Sequence, residues 1–438
     1  MKFIRLARAV RASVSPAAMS LALLAGGAVA MTAATTPAAA KEKPAKPAKA
    51  DYSKGFVAVY TPANALLTAA TPDIAGAEAQ IEAVVAAAQT ADDRNAAGSF
   101  ILTVGQKKSD NALMLRGLEM MLESGKVGAD RLGLINFSAG QLAYNTKNYA
   151  KARQYIQAAL DVGYVQEDAE ALIAESYFDE DRHAEGLAYL SKVIADRKAA
   201  GKPVKESWVK RGLAIAYTNQ LKAESAQFAT LYAADFPSAT SWGDAVAVTL
   251  NMGGYENPEI LDLLRLARRT GSFRDDRMFL EYLDAADYRR LPAEVVAVID
   301  EGLAKGLVKS NNAYVADIRT QAAARAAVDQ RDLAVLLKDA RASGATINAV
   351  LAAGDTLLSM GKPAEAEEFY VKAQTVPGAN TALVLTRLGI AQFDQGKYAD
   401  AQATFAKVQG SRQAIASLWS AYARQKAAPA QTAAAPVQ

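Results

Sequence analysis

The sequence predicts an all-α protein, an α-α superhelix that grows by adding helix pairs rather than by enlarging one core. Apolar residues recur at spacings of three and four through most of the chain, which lines one face of a helix. Breaks come about every 12 to 18 residues, many with turn chemistry: Asn145-Thr146-Lys147-Asn148, Gly201-Lys202-Pro203, Asp235-Phe236-Pro237, Gly253-Gly254, Gly361-Lys362-Pro363 and Gly396-Lys397. Alternating Val/Ile/Thr segments are lacking, whereas the helix formers Ala, Leu, Glu, Gln and Arg abound. At 438 residues the chain is too long for one compact core, and the spaced breaks favour a repeat array of roughly twenty helices.

Taken in order, residues 1–40 read as a secretory signal. Lys2, Arg5, Arg8 and Arg11 form a basic start, an apolar stretch runs from Met19 to Ala30, and small-residue cleavage sites follow at Ala28-Val29-Ala30 and Ala38-Ala39-Ala40. An uncleaved anchor is the alternative, disfavoured because Ala and Thr make the stretch weakly apolar. Export, to a periplasm, is the expected destination. Residues 41–54 alternate Lys, Pro and Ala, a linker composition. Residues 55–130 are N-terminal helices without a clear repeat, 131–238 carry repeats, 239–345 are degenerate helix pairs, 346–426 carry further repeats and a capping helix, and 427–438 form a tail. No later run has the length of apolar sequence needed to span a membrane.

The repeats are clearest near the C-terminus. Between Arg387 and Val408, Leu388-Gly389 lie in a first helix, Gly396 and Tyr398 at the turn, and Ala401, Phe405 and Val408 in a second helix. Gly354, Gly361, Ala366, Tyr370 and Ala373 repeat the pattern 35 residues earlier, with Pro363 in place of the turn tyrosine. Gly140, Tyr149, Ala152, Ile156 and Ala159 form another unit. Ala174, Gly186, Leu190 and Val193 form the next, and Gly212, Phe228 and Leu231 a fifth, where Glu224 falls at a position that wants a small residue. These five units resemble tetratricopeptide repeats of the exported bacterial envelope type, over less than half of the chain. The resemblance implies stacked helix pairs, with the last helix, about Ser411 to Lys426, covering the final pair.

Charge and inventory exclude several classes. Formal net charge is +3, but residues 55–438 hold 40 bases against 44 acids, so the folded part lacks the basic excess of a nucleic-acid binder. There is no cysteine, hence no disulfide and no thiolate metal site. His183 is the only histidine and falls at a turn position, so His-dependent triads and two-His metal sites fail. Gly125-Lys126, Gly201-Lys202, Gly361-Lys362 and Gly396-Lys397 lack the rest of a phosphate loop. Glu167, Asp168, Glu170, Glu175, Asp179, Glu180, Asp181 and Glu185 form the densest acidic set, without the spacing of a calcium loop. Arg265, Arg268, Arg269, Arg274, Arg277, Arg289 and Arg290 lie among Asp275, Asp276, Glu281, Asp284 and Asp287, which suggests pairing on helix surfaces. No catalytic residue, cofactor or metal is expected.

In tetratricopeptide proteins the first helix of each pair lines a concave groove. The resemblance therefore nominates Gln141, Tyr144 and Asn145; Glu175, Phe178 and Asp179; Leu213, Ala216 and Tyr217; Asp355 and Leu358; and Phe393 with Asp394. The basic clamp for C-terminal carboxylates is missing from these positions. Aromatic and acidic side chains suit an extended or helical peptide with apolar anchors and positive charge. The expected function is a non-catalytic, protein-binding scaffold. Tyr144, Phe178, Tyr217 and Phe393 leave open a cell-wall or polysaccharide module, and helical solenoids also accompany wall-cleaving lyases, although no stretch here is left for a catalytic domain.

Overall fold

The structure, a computed structural model, describes residues 50–165 and 168–428. The signal, most of the linker, Glu167 and the tail beyond residue 428 lie outside the described residues. Among the described residues every regular element is a helix, and consecutive helices pack on one another in pairs. The chain divides between Lys202 and Pro203 into two units.

Unit 1 holds α1 (Lys54–Thr68), α2 (Ile74–Ala79), α3 (Ile81–Ala87), α4 (Ala91–Lys108), α5 (Asn111–Glu123), α6 (Ala129–Asn145), α7 (Tyr149–Asp161), α8 (Ala169–Phe178) and α9 (His183–Ala199). The start of the described chain is tied down. Asp93, fully buried in the first turn of α4, accepts hydrogen bonds from Ser53 N (3.1 Å), Ser53 Oγ (2.8 Å), Gln89 N (3.1 Å) and Thr90 N (3.0 Å). This caps α4 and anchors the residues entering α1, where the sequence pattern places the end of a linker. Although no repeat is legible there, α4 and α5 are a tight pair: a Cβ on Gly117 would lie 2.5 Å from Leu102 N and 2.7 Å from Gly98 O. Only glycine lets the two backbones approach so closely.

Unit 2 holds α10 (Glu206–Thr218), α11 (Lys222–Asp235), α12 (Ala239–Gly253), α13 (Asn257–Thr270), α14 (Asp276–Ala286), α15 (Pro292–Ala304), α16 (Ala313–Arg341), α17 (Ile347–Ser359), α18 (Pro363–Ala373), α19 (Thr381–Asp394), α20 (Tyr398–Phe405), a 3-10 turn (Gly410–Arg412) and α21 (Gln413–Ala427). The region 239–345 departs from helix pairs at α16, a single helix of 29 residues. No glycine or proline interrupts that stretch, so nothing stops propagation.

The five sequence-identified pairs share one geometry. In four, a glycine of the first helix faces a large side chain sixteen residues on: Gly140 and Ile156, Gly212 and Phe228, Gly354 and Tyr370, Gly389 and Phe405, with hypothetical Cβ distances of 2.2–2.9 Å. Ala174 and Leu190, both buried, hold the same places in the fifth. The turns repeat as well. Lys147, Asp181, Gln220, Gly361 and Gly396 all have positive φ, and the next residue's N–H reaches back to close the first helix, as in Asn148 N to Ala143 O (2.8 Å) and Lys397 N to Gln392 O (3.0 Å). After α10 this turn comes one residue late, so Ser225 rather than Glu224 fills the buried slot.

At that turn position glycine carries no Cβ penalty. Gln220→Gly should therefore stabilise unit 2 by about 0.5–1 kcal/mol, and Gly396→Ala should destabilise it by about 1 kcal/mol. Thermal denaturation of the two variants checks both signs, and a lowered midpoint for Gln220→Gly would contradict the assignment.

Unit 2 also encloses helices. Every residue from Leu261 to Ala267 in α13 and from Val384 to Phe393 in α19 is buried, so both are surrounded on all sides. α21 packs on α20 and also on α11, α12 and α13. The end of unit 2 is thereby brought onto its beginning.

Candidate functional site

The nominated positions separate into two environments. In unit 1, Gln141 and Tyr144 are half-buried on α6, Asn145 is exposed at its end, Glu175 is half-buried on α8 and Asp179 is exposed at the end of that helix. Tyr144 donates its hydroxyl to the Asp179 carboxylate of the next pair in a short hydrogen bond, and its ring meets Tyr149 edge-on at 5.3 Å. Burial, the Asp179 bond and the nearby Glu175 charge all push the Tyr144 phenol up, so it is a fixed donor. The result is an aromatic wall with two carboxylates on one face, built by helix ends that the repeated turns hold in register.

Phe178 is not part of that face. It is 4 % exposed and packs over Gly186 and near His183, ring centroids 6.4 Å apart. In unit 2, Leu213 and Ala216 are buried, while Tyr217 is half-buried with its hydroxyl accepting from Asn251 Nδ2 at 3.4 Å.

Of the remaining four positions, three are buried. Asp355 is buried, accepting from Tyr370 Oη at 2.8 Å and pairing with Arg387. Leu358 is buried. Phe393 stacks on Tyr422 (5.0 Å) and meets Trp419 at 5.4 Å. The Asp394 carboxylate pairs with Arg269, 125 residues earlier. Closure of unit 2 buries Asp355, Leu358 and Phe393 and leaves Asp394 at the surface, held by Arg269, an outcome that repeat register alone cannot foresee.

The closure is built on charge. Asp262, fully buried, lies 2.9 Å from Arg265 Nη1, 2.6 Å from Arg412 Nη1 and 3.6 Å from Arg387 Nε. Arg265 also grips Glu294, with Nε to Oε1 at 2.8 Å, while Tyr282 donates to the same Oε1 at 2.6 Å. Burial alone would raise the Glu294 carboxyl, but the Arg265 charge, its hydrogen bonds and Tyr282 pull it down to about 2. Asp262 is likewise held low, because three guanidiniums outweigh its burial.

Sequence reasoning placed Arg265 on a helix surface, and the structure overturns that. Arg265 is 1 % exposed, Arg268 pairs with Glu301 and Arg269 with Asp394; Arg289 does pair with Asp287 on the surface. A usable signal was present: Asp262 and Arg265 stand three apart, and every other residue from Leu261 to Ala267 is apolar. The acidic set of unit 1 is largely engaged by neighbours. Glu180 lies 2.6 Å from Arg153, Glu170 3.5 Å from Arg197, and Glu185 accepts from Arg182 at 2.7 Å. Among the described residues no group of His, Asp and Glu is arranged to hold a metal ion, and no helix is long and apolar enough to cross a membrane.

No protein-family model matches the chain, and no curated protein matches it.

Proposed function

We propose that this chain is an exported, non-catalytic protein-binding scaffold of tetratricopeptide-like helix pairs, whose partner surface is the unit 1 face carrying Gln141, Tyr144, Asn145, Glu175 and Asp179. The observation that carries this reading is the Tyr144–Asp179 hydrogen bond between consecutive pairs. It presents a rigid aromatic edge beside two carboxylates, chemistry that suits a peptide with an apolar anchor and a basic residue. Residues 50–202 hold 20 acids against 15 bases, which favours the same kind of partner. The polysaccharide alternative is weakened, since Phe178 and Phe393, two of the four rings it would stack sugars on, are buried.

The test is cross-linked capture from the protein's own envelope fraction, with the tagged mature chain and a Tyr144→Ala/Asp179→Ala variant side by side. A protein captured by the parent and lost by the folded variant is the expected result. Equal capture by both would remove the unit 1 face from the proposal, and retention of glycan without protein would reverse the choice of ligand.

A further inference from the structure

From α10 to α20 helices pack chiefly on their sequence neighbours, and the most extensive contacts between distant parts of unit 2 belong to α21. Its seat is chemically specific. Trp419, fully buried, donates Nε1–H to Asp262 O at 2.8 Å and stacks on Phe405 at 6.0 Å, with the Arg269 guanidinium 5.2 Å from its ring centroid. Tyr422 donates to Arg269 O at 2.8 Å and meets Trp242 edge-on at 5.3 Å. Arg412, just before the helix, reaches Asp262 Oδ2 at 2.6 Å and lies 3.4 Å from Glu259. The opposite stripe, Gln413, Ser417 and Arg424, is exposed. α21 is thus an amphipathic helix held by an arginine, a tryptophan seven residues on and a tyrosine three further.

We propose that this seat is a helix-binding cleft which unit 2 fills in cis, and that it accepts in trans a partner protein's amphipathic helix carrying the same Arg, Trp and Tyr spacing, displacing α21. The chemistry of the occupant is read from the helix that sits there. Only residues 406–412, the 3-10 turn included, separate it from α20, so cis occupancy rests on the high effective concentration that a short tether imposes. The cleft is independent of the unit 1 face.

The probe is a fluorescein-labelled peptide of residues 410–427, titrated by anisotropy into the full chain and into a full chain with ten Gly/Ser residues inserted after Lys407. The insertion leaves the contacts of α21 itself available and lowers its effective concentration, so the peptide should bind the lengthened chain roughly five- to ten-fold tighter than the parent. A peptide with alanine at its tryptophan should not bind. Absence of binding to both chains at about 100 μM peptide, or binding indifferent to the tryptophan, overturns the proposal. Hydrogen exchange on the unaltered chain decides the matter even if the lengthened chain misfolds. Amides of α21 exchanging ahead of those of α13 support a cleft that opens, and exchange of both together overturns it.

Discussion

Replacing Asp262 by alanine should lower the thermal midpoint of unit 2 by roughly 6 to 20 °C while unit 1 is unaffected. Asp262 is the common partner of Arg265, Arg387 and Arg412, all buried. Without it Arg265 retains Glu294 and Arg387 retains Asp355, but Arg412 keeps only Glu259 at 3.4 Å. A buried charge stripped of its partner costs about 3–5 kcal/mol. For a unit of this size each kcal/mol moves the midpoint by about 2–4 °C. Scanning calorimetry measures this directly, and a shift below about 1 °C would mean that the cluster is not what closes unit 2. Removing both sides of the pair, Asp262→Leu with Arg412→Met, should restore much of the loss, because matched apolar groups carry no desolvation debt.

Acid should open the same unit. The folded-state value of Glu294 is depressed from 4.5 to about 2, and that of Asp262 is depressed as well. A carboxyl whose folded value lies below its unfolded value contributes stability that is fully present above the unfolded value. That stability is lost as pH falls through the folded one. For Glu294 the difference amounts to about 3 kcal/mol, and Asp262 acts in the same direction. The midpoint of unit 2, followed by circular dichroism, should hold level above about pH 5 and fall steadily toward about pH 2. Glu294→Gln should start lower and fall less steeply. A parent midpoint that stays constant across that window would show that the carboxyls are not charged partners in the folded state.

Much of the fold was legible because its determinants are local. A glycine in one helix and a large side chain sixteen residues later specify a close crossing within a single pair, and the turn between them is written in Gly361 and Gly396. Around Lys147 the flanking asparagines marked the turn; where the turn residue is Asp181 or Gln220 composition gave no such cue, yet the backbone adopts the same positive φ. The length of α16 was legible in principle, since its stretch contains no breaker, but an assumed pair length obscured it.

The candidate site was half legible. Gln141, Tyr144, Asn145, Glu175 and Asp179 share a face because neighbouring pairs repeat at a fixed spacing, which sequence periodicity reports. By itself the sequence determined an all-α chain of helix pairs, many of the places where they turn, the lack of cysteine and the single histidine. Tertiary structure alone decided that Asp355 and Phe393 face inward and that Asp262 meets Arg387 and Arg412. Those partners lie more than a hundred residues apart, and no helical period encodes a contact that exists only once the chain end packs back on α11 to α13.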